Sequence, residues 1–134
     1  MFNFGLKKDA VITHDQICRK AKCGCIGGIR YSKQNNVLVL FINSNSQYEN
    51  AWDGEMLKYM GTGRANQSIE AAGNMHLAEA TKTKTAVYLF ERVDSISCRY
   101  IGRMELVKTP YYEMHKNKDG INERKVIFVL KKVE

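Results

Sequence analysis

Short runs of β-branched and aromatic residues recur along this chain, separated by turns rich in glycine, asparagine and lysine. Runs of this kind, with alternating apolar and polar positions, predict β-strands. Most of them lie close enough in sequence to pair as antiparallel hairpins. The predicted strands span residues 28–32, 37–43, 56–60, 85–92, 97–107 and 124–132.

Two segments carry helical signals instead. Thr13 and Gln16 have the spacing of a capping box, and they predict a short basic helix over residues 14–22. Apolar residues at helical spacing predict a second helix over residues 67–81, interrupted by Gly73. About six strands and two short helices predict an α+β fold, a curved antiparallel sheet or barrel with helices at its ends.

The length and composition are those of one folded domain. We expect residues 1–134 to form a single unit, and a hydrophobic fraction of 44% excludes a disordered chain. The longest purely apolar run, Val37–Ile42, is too short to cross a bilayer. Lys7 and Lys8 lie where a signal peptide would have its apolar stretch, so we expect a cytoplasmic protein without a membrane partner.

The charge balance favours a polyanionic partner. The chain has 21 basic and 14 acidic residues, a net charge of +7 and a pI near 9.3. Much of this excess lies in residues 1–33. Because neutralisation of phosphates supplies most non-specific affinity for nucleic acid, this composition suits a nucleic-acid-binding protein. A solvated basic face would give the same numbers, so charge alone does not decide.

The sequence offers little for catalysis. It contains no nucleophile elbow, zinc-protease motif or phosphate-binding loop, and its carboxylates are scattered. The roles of base, nucleophile and charge stabiliser cannot all be filled, so we predict a protein that is not an enzyme.

One cluster of possible metal ligands needs separate weighing. His14, Cys18, Cys23 and Cys25 lie in one short segment and could in principle surround zinc. Tetrahedral sites usually show paired ligand spacings, which this segment lacks. We therefore predict reduced thiols, no metal and no cofactor, and keep a small zinc-dependent enzyme as an alternative.

Several short motifs follow one another in a distinctive order. They are Gly27-Gly-Ile-Arg30, Tyr48, Trp52-Asp-Gly54, Tyr59-Met-Gly-Thr-Gly63, Gly73-Asn74, Tyr88-Leu-Phe-Glu91 and Tyr100-Ile-Gly102. This order resembles the SRA (SET- and RING-associated) domain, especially the SRA-like modules of modification-dependent restriction endonucleases. The resemblance runs from about Ile12 to Leu130. It implies a PUA-like fold, a curved β-barrel flanked by helices, that binds DNA and flips 5-methylcytosine or 5-hydroxymethylcytosine into a pocket.

The resemblance also implies roles for individual residues. Tyr48 and Tyr59 match the aromatic pair that sandwiches the flipped base, and Asn50 is the candidate for reading its Watson–Crick edge. Asp53 is the nearest carboxylate alternative. The implied base-binding set is Tyr48, Asn50, Trp52, Asp53, Tyr59, Gly61 and Gly63, and the implied phosphate-binding set is Lys20, Lys22, Arg30 and Arg64.

Amides stand where the family has carboxylates, at Asn50 and in Ala65-Asn66-Gln67. An amide both donates and accepts hydrogen bonds, so the identity of the modified base stays open. The expected partner is double-stranded DNA carrying a modified base, with any nuclease in a fused domain or a separate subunit. The alternative is a PUA-like RNA-binding module whose aromatic residues stack an unpaired base.

Overall fold

In the computed structural model, which describes residues 2–24, 27–43 and 51–133, nine strands form one sheet with three short helices. The helices are α1 (His14–Ala21), α2 (Ala72–Ala78) and α3 (Ala80–Thr83). The strands are β1 (Val11–Thr13), β2 (Ile29–Ser32), β3 (Val37–Asn43), β4 (Ala51–Asp53), β5 (Met56–Met60), β6 (Ala86–Arg92), β7 (Ser97–Leu106), β8 (Tyr111–Lys116) and β9 (Asn122–Lys132).

The sheet has the strand order β2-β3-β6-β7-β9-β5-β4, with β1 added on β7 and β8 on β9. The longest strand, β9, has 11 residues and pairs with three partners. Residues 122–127 pair with β8, residues 127–131 with β5, and residues 130–132 with β7. This one strand therefore joins the two halves of the sheet.

Each face of the sheet has its own apolar core. One core includes Leu40, Tyr59 and Phe128 together with Leu77 of α2. The other includes residues of β3 and β6 together with Ile17 of α1. The helices thus cover opposite faces of the sheet.

Helix α1 begins as the sequence predicts. Thr13 Oγ1 accepts from Gln16 N, and Gln16 Oε1 accepts from Thr13 N, both at 3.1 Å. The helix ends at Lys22, which takes the left-handed conformation with φ of 61°. The capping box and the basic C-terminal turn are therefore confirmed.

The sheet differs from the expected one in three respects. Three strands, β1, β4 and β8, add to the six predicted. Seven residue pairs join β3 to β6 in parallel, so the sheet is not wholly antiparallel. The strands at the two ends of the order, β2 and β4, do not pair with each other, so the sheet is open and the prediction of a barrel was wrong in this respect.

The second helix is shorter than predicted. Residues 67–71 are not helical, because the backbone N–H of Gln67 donates to Arg124 O of β9 at 2.8 Å and holds this segment against the sheet. Helices α2 and α3 come after this segment and are separated from each other at Glu79. Among the described residues, no helix is long and apolar enough to span a membrane.

Candidate functional site

A pocket of about 360 Å³ opens where the sheet fails to close, between β3 and β5. These two strands are not neighbours in the sheet, yet the Tyr59 hydroxyl of β5 lies 3.3 Å from Phe41 O of β3. We call this place the seam. The seam pocket is lined by Gly28, Phe41, Ile42, Asn43, Tyr59, Met60, Gly61, Thr62, Gly63, Gln67 and Lys125.

Tyr59 connects the two sides of the seam. It is 3% exposed, and its hydroxyl donates to Gly28 O at 3.2 Å or to Phe41 O at 3.3 Å. A phenol has one proton, so the two carbonyls share one donor. Burial raises the pKa of Tyr59 well above its usual range, which keeps the phenol neutral and donating.

The glycine turn Gly61–Gly63 forms the next part of the wall. Gly61 N donates to Val126 O at 2.8 Å, which brings the turn against β9. A Cβ at Gly61 would lie 2.6 Å from Asn74 Oδ1, so only glycine fits there without displacing a neighbour. Gly63 has a φ of +127°, which residues with side chains rarely adopt.

Two buried amides hold this turn. Asn74 Oδ1 accepts from Thr62 N at 2.8 Å, and Asn74 Nδ2 donates to Thr62 O at 2.9 Å and to Ser68 O at 3.0 Å. Gln67 Nε2 donates to Gly61 O at 3.0 Å and Gly63 O at 3.3 Å, while its Oε1 accepts from Val126 N at 2.9 Å. The turn is thus fixed from two directions.

Arg30 lies behind the pocket wall rather than on the surface. It is 3% exposed, and its Nε donates to Gly27 O at 2.9 Å. Its Nη1 contacts His14 Nε2 and donates to Cys18 Sγ at 3.2 Å, while its Cζ lies 4.4 Å from the centre of the Phe41 ring. The structure therefore corrects the expectation that Arg30 is available to a phosphate, because its guanidinium is enclosed and braces Phe41.

The possible metal ligands are not assembled in the part of the chain that the structure describes. No group of three or more His, Cys, Asp or Glu side chains that could hold a metal occurs there, and Cys25 lies outside it. Burial lowers the pKa of His14, and the positive charges of Arg30 and Arg92 lower it further. His14 thus serves as a neutral neighbour of the Arg30 guanidinium.

The structure brings together three of the predicted base-binding residues, Tyr59, Gly61 and Gly63. Trp52 and Asp53 are not among the described residues that line the seam pocket, and their base-binding roles stay predictions. Trp52 is 41% exposed and lines a separate depression of about 320 Å³, which also contains Ile42 and Lys132. Tyr48 and Asn50 lie outside the described residues, so their roles stay predictions.

The remaining predicted phosphate ligands are on the surface. Arg64 is exposed directly after the glycine turn, and Lys20 and Lys22 are exposed at the C-terminal end of α1. Sequence reasoning missed Lys125, which lies in the pocket wall and donates from Nζ to Ala65 O at 3.2 Å. Gly61 and Gln67 form backbone hydrogen bonds to Val126 and Arg124, on either side of this lysine, and no local motif signals this contact.

An open, curved sheet with short helices on both faces and a pocket at its seam is the architecture of an SRA-type domain. The chain belongs to this family, since residues 14–134 match the family described as "ScoMcrA-like, SRA domain". A search of curated proteins found no match to this chain.

Solved structures show the same fold at low sequence identity. A structure of the sulfur binding domain and SRA domain of ScoMcrA complexed with phosphorothioated DNA has a TM-score of 0.74 and 18% identity. A SUVH5 SRA complex with hemi-methylated CG DNA has a TM-score of 0.70 and 18% identity, and covers 96% of this chain and 89% of that one. A SUVH5 SRA structure bound to fully hydroxymethylated CG DNA has a TM-score of 0.69 and 17% identity, and covers 97% of this chain and 91% of that one.

The matches to ScoMcrA are partial on the ScoMcrA side. The alignment covers 96% of this chain but 40% of the two-domain ScoMcrA structure. It covers 24% of the chain in a structure described as the type IV phosphorothioation-dependent restriction endonuclease ScoMcrA. This chain therefore corresponds to one module of that larger protein.

The packing of Gly61 gives a first testable prediction. Gly61→Ala would place a Cβ 2.6 Å from Asn74 Oδ1 and 3.1 Å from Val126 Cβ. We expect the free energy of unfolding in urea to fall by about 1–3 kcal/mol, the usual effect of overpacking. Gly24→Ala is the control, because a Cβ added there would have no neighbouring heavy atom within 4 Å. Equal losses in the two variants would contradict the close packing at Gly61.

Proposed function

We propose that this chain recognises a modified cytosine in double-stranded DNA, 5-methylcytosine, 5-hydroxymethylcytosine or a related base, by flipping it into the seam pocket. The observation that supports this most strongly is the pocket itself, a cavity of about 360 Å³ between two strands, β3 and β5, that do not pair with each other. Binding cavities for small molecules start at roughly 300 Å³, so the volume suits one base.

The chemistry of the lining fits an unstacked base. Flipping costs a few kcal/mol, which the pocket must offset by ring contacts and hydrogen bonds to the base edge. Phe41, Ile42, Tyr59 and Met60 supply apolar and aromatic surface, and the glycine turn lets its backbone come close to the ligand.

In this proposal Tyr48 is the second ring that contacts the base, and Asn50 reads its edge. Both roles are carried over from the resemblance to SRA domains, and the family match, over residues 14–134, includes these two positions. Either end of the Asn50 amide can face the base, so the amide is compatible with more than one substituent pattern.

The basic residues account for affinity that does not depend on sequence. Lys20, Lys22 and Arg64 are exposed, and the chain has a net charge of +7. Their contribution would come from phosphate neutralisation and would weaken as salt increases.

SRA domains are DNA-binding modules and not catalytic ones. We therefore propose that this chain supplies specificity in a modification-dependent restriction system of the cytoplasm, with a nuclease in a fused region or a partner subunit. The partial match to the ScoMcrA endonuclease supports this arrangement.

A titration with four duplexes tests the proposed function. They share one sequence and carry cytosine, 5-methylcytosine, 5-hydroxymethylcytosine or a glucosylated base at one site, at a fixed salt concentration. We expect at least about a tenfold preference, ~1.4 kcal/mol, for one modified duplex. A 2-aminopurine beside that base should gain fluorescence on binding, because its neighbour leaves the stack.

Two outcomes of this titration would contradict the proposal. Equal, salt-sensitive binding to all four duplexes would leave only a basic surface without base recognition. Tighter binding to single-stranded RNA of the same sequence would identify a PUA-like RNA-binding module instead.

Replacing Tyr59 by leucine tests the contact between its ring and the base. Tyr59→Leu keeps an apolar side chain in the core but removes the aromatic ring. We expect affinity for the preferred modified duplex to fall by about 1–3 kcal/mol, with little change for the unmodified duplex. Tyr100→Leu is the matched control, because Tyr100 is also 3% exposed but belongs to the other core. An equal fall for both duplexes in Tyr59→Leu would contradict base stacking.

Replacing two lysines tests whether α1 faces the DNA. In Lys20→Gln/Lys22→Gln we expect all duplexes to bind more weakly and the slope of log K against log salt to decrease in magnitude by up to ~2. Lys82→Gln/Lys84→Gln is the matched control, since these residues also lie in a helix and at its left-handed C-cap. An unchanged slope in the first variant would remove α1 from the interface.

A further inference from the structure

Two side-chain amides in the interior, Asn74 and Gln67, have no part in the proposed contacts to the base. Asn74 is 0% exposed and Gln67 is 5% exposed, although polar side chains of this kind are mostly found on protein surfaces. Burying an amide is unfavourable unless its groups are hydrogen-bonded, so their position requires an explanation.

Both amides form hydrogen bonds with the glycine turn Gly61–Gly63 and with the segments beside it. Asn74 bonds the N–H and the C=O of Thr62, while Gln67 bonds the carbonyls of Gly61 and Gly63. Gln67 also binds Val126 N of β9 at 2.9 Å. We call Asn74 and Gln67 the amide clamp.

An amide suits this role because its nitrogen donates two hydrogen bonds while its oxygen accepts another. Each clamp residue donates and accepts at once, which an ionised carboxylate cannot do. A carboxylate would also place negative charge against the carbonyls of the turn. An apolar side chain would leave the N–H of Thr62 and several carbonyls without their present partners.

The clamp holds a part of the pocket wall, and recognition of a small substituent is sensitive to the position of that wall. The turn and Tyr59 line the same pocket, so the position of the turn determines how closely the wall meets a bound base. A gap of roughly 0.5–1 Å already loses a quarter to a half of a dispersion contact. A wall that discriminates one small substituent therefore has to be held to within a fraction of an ångström.

We propose that Asn74 and Gln67 are positioning residues that set the preference for the modified base by fixing Gly61–Gly63 relative to Tyr59. This inference rests on the proposed function, base recognition in the seam pocket. It assigns the preference between bases to the clamp and the overall affinity for DNA to the exposed basic residues.

The test compares full-length Asn74→Asp and Gln67→Glu with the wild type. Both variants keep size and acceptor atoms but lose at least one of the two hydrogen bonds that each amide nitrogen donates. We expect the ratio of affinities for the preferred modified duplex and the cytosine duplex to fall at least about fivefold, with affinity for the cytosine duplex within about twofold of wild type. Changed carbonyl ¹³C chemical shifts at Gly61, Thr62 and Gly63 should accompany the change, because these carbonyls lose hydrogen bonds from the clamp.

Asn35→Asp is the matched control. Asn35 Nδ2 donates to Ala21 O at 2.7 Å, away from the seam pocket, so this variant loses a structural bond of the same type. A purely structural loss lowers the melting temperature but leaves the ratio of affinities unchanged. We therefore expect Asn35→Asp to lower the melting temperature and to leave the ratio of affinities unchanged.

The outcomes separate the clamp from the proposed function. If the wild type prefers a modified duplex and the folded clamp variants keep that preference, the clamp proposal is overturned alone. If the wild type shows no preference, the proposed function fails and the clamp proposal fails with it. If neither clamp variant folds, the amides are required for folding itself and the positioning role is overturned.

Discussion

The hydrogen bond of the Tyr59 hydroxyl across the seam is the contact on which the site depends. The sheet curves but does not close, so β3 and β5 come together without a ladder of backbone hydrogen bonds. One buried phenol bridges them by donating to carbonyls of residues 28 and 41. Had the strands paired fully, backbone would fill the space that is now a pocket. The incomplete closure of the sheet therefore creates the seam pocket.

Much of the fold could be predicted from local signals. The capping box at Thr13 and the apolar runs of β3 and β5 act over a few residues, and the structure confirms them. The weaker segments were missed for a physical reason. Strands β1 and β4 have three residues each, and β8 has no buried residue, so their strand conformation depends on pairing with β7, β5 and β9 rather than on their own composition.

The site was only partly predictable, because its geometry is set by contacts between distant parts of the chain. Motif resemblance pointed to Tyr59 and the glycine turn, but Lys125 reaches the pocket because Gly61 and Gln67 bond to its neighbours in β9. Long-range contacts also determine where two further predicted residues lie. Arg30 is enclosed by α1 and the wall of the pocket, and Trp52 faces a different depression.

Residues that line the pocket also stabilise the fold, and in this respect the pocket differs from an exposed binding surface. Tyr59 belongs to the core, and Gln67 bonds both the turn and β9. A change at either position therefore alters stability and recognition together, and a loss of binding alone does not identify a contact with DNA. A change in the ratio of the affinities for modified and unmodified duplexes does identify such a contact, because unfolding reduces both affinities by the same factor. Under the proposed function, exposed lysines on α1 would change both affinities but not their ratio, whereas residues of the seam would change the ratio itself.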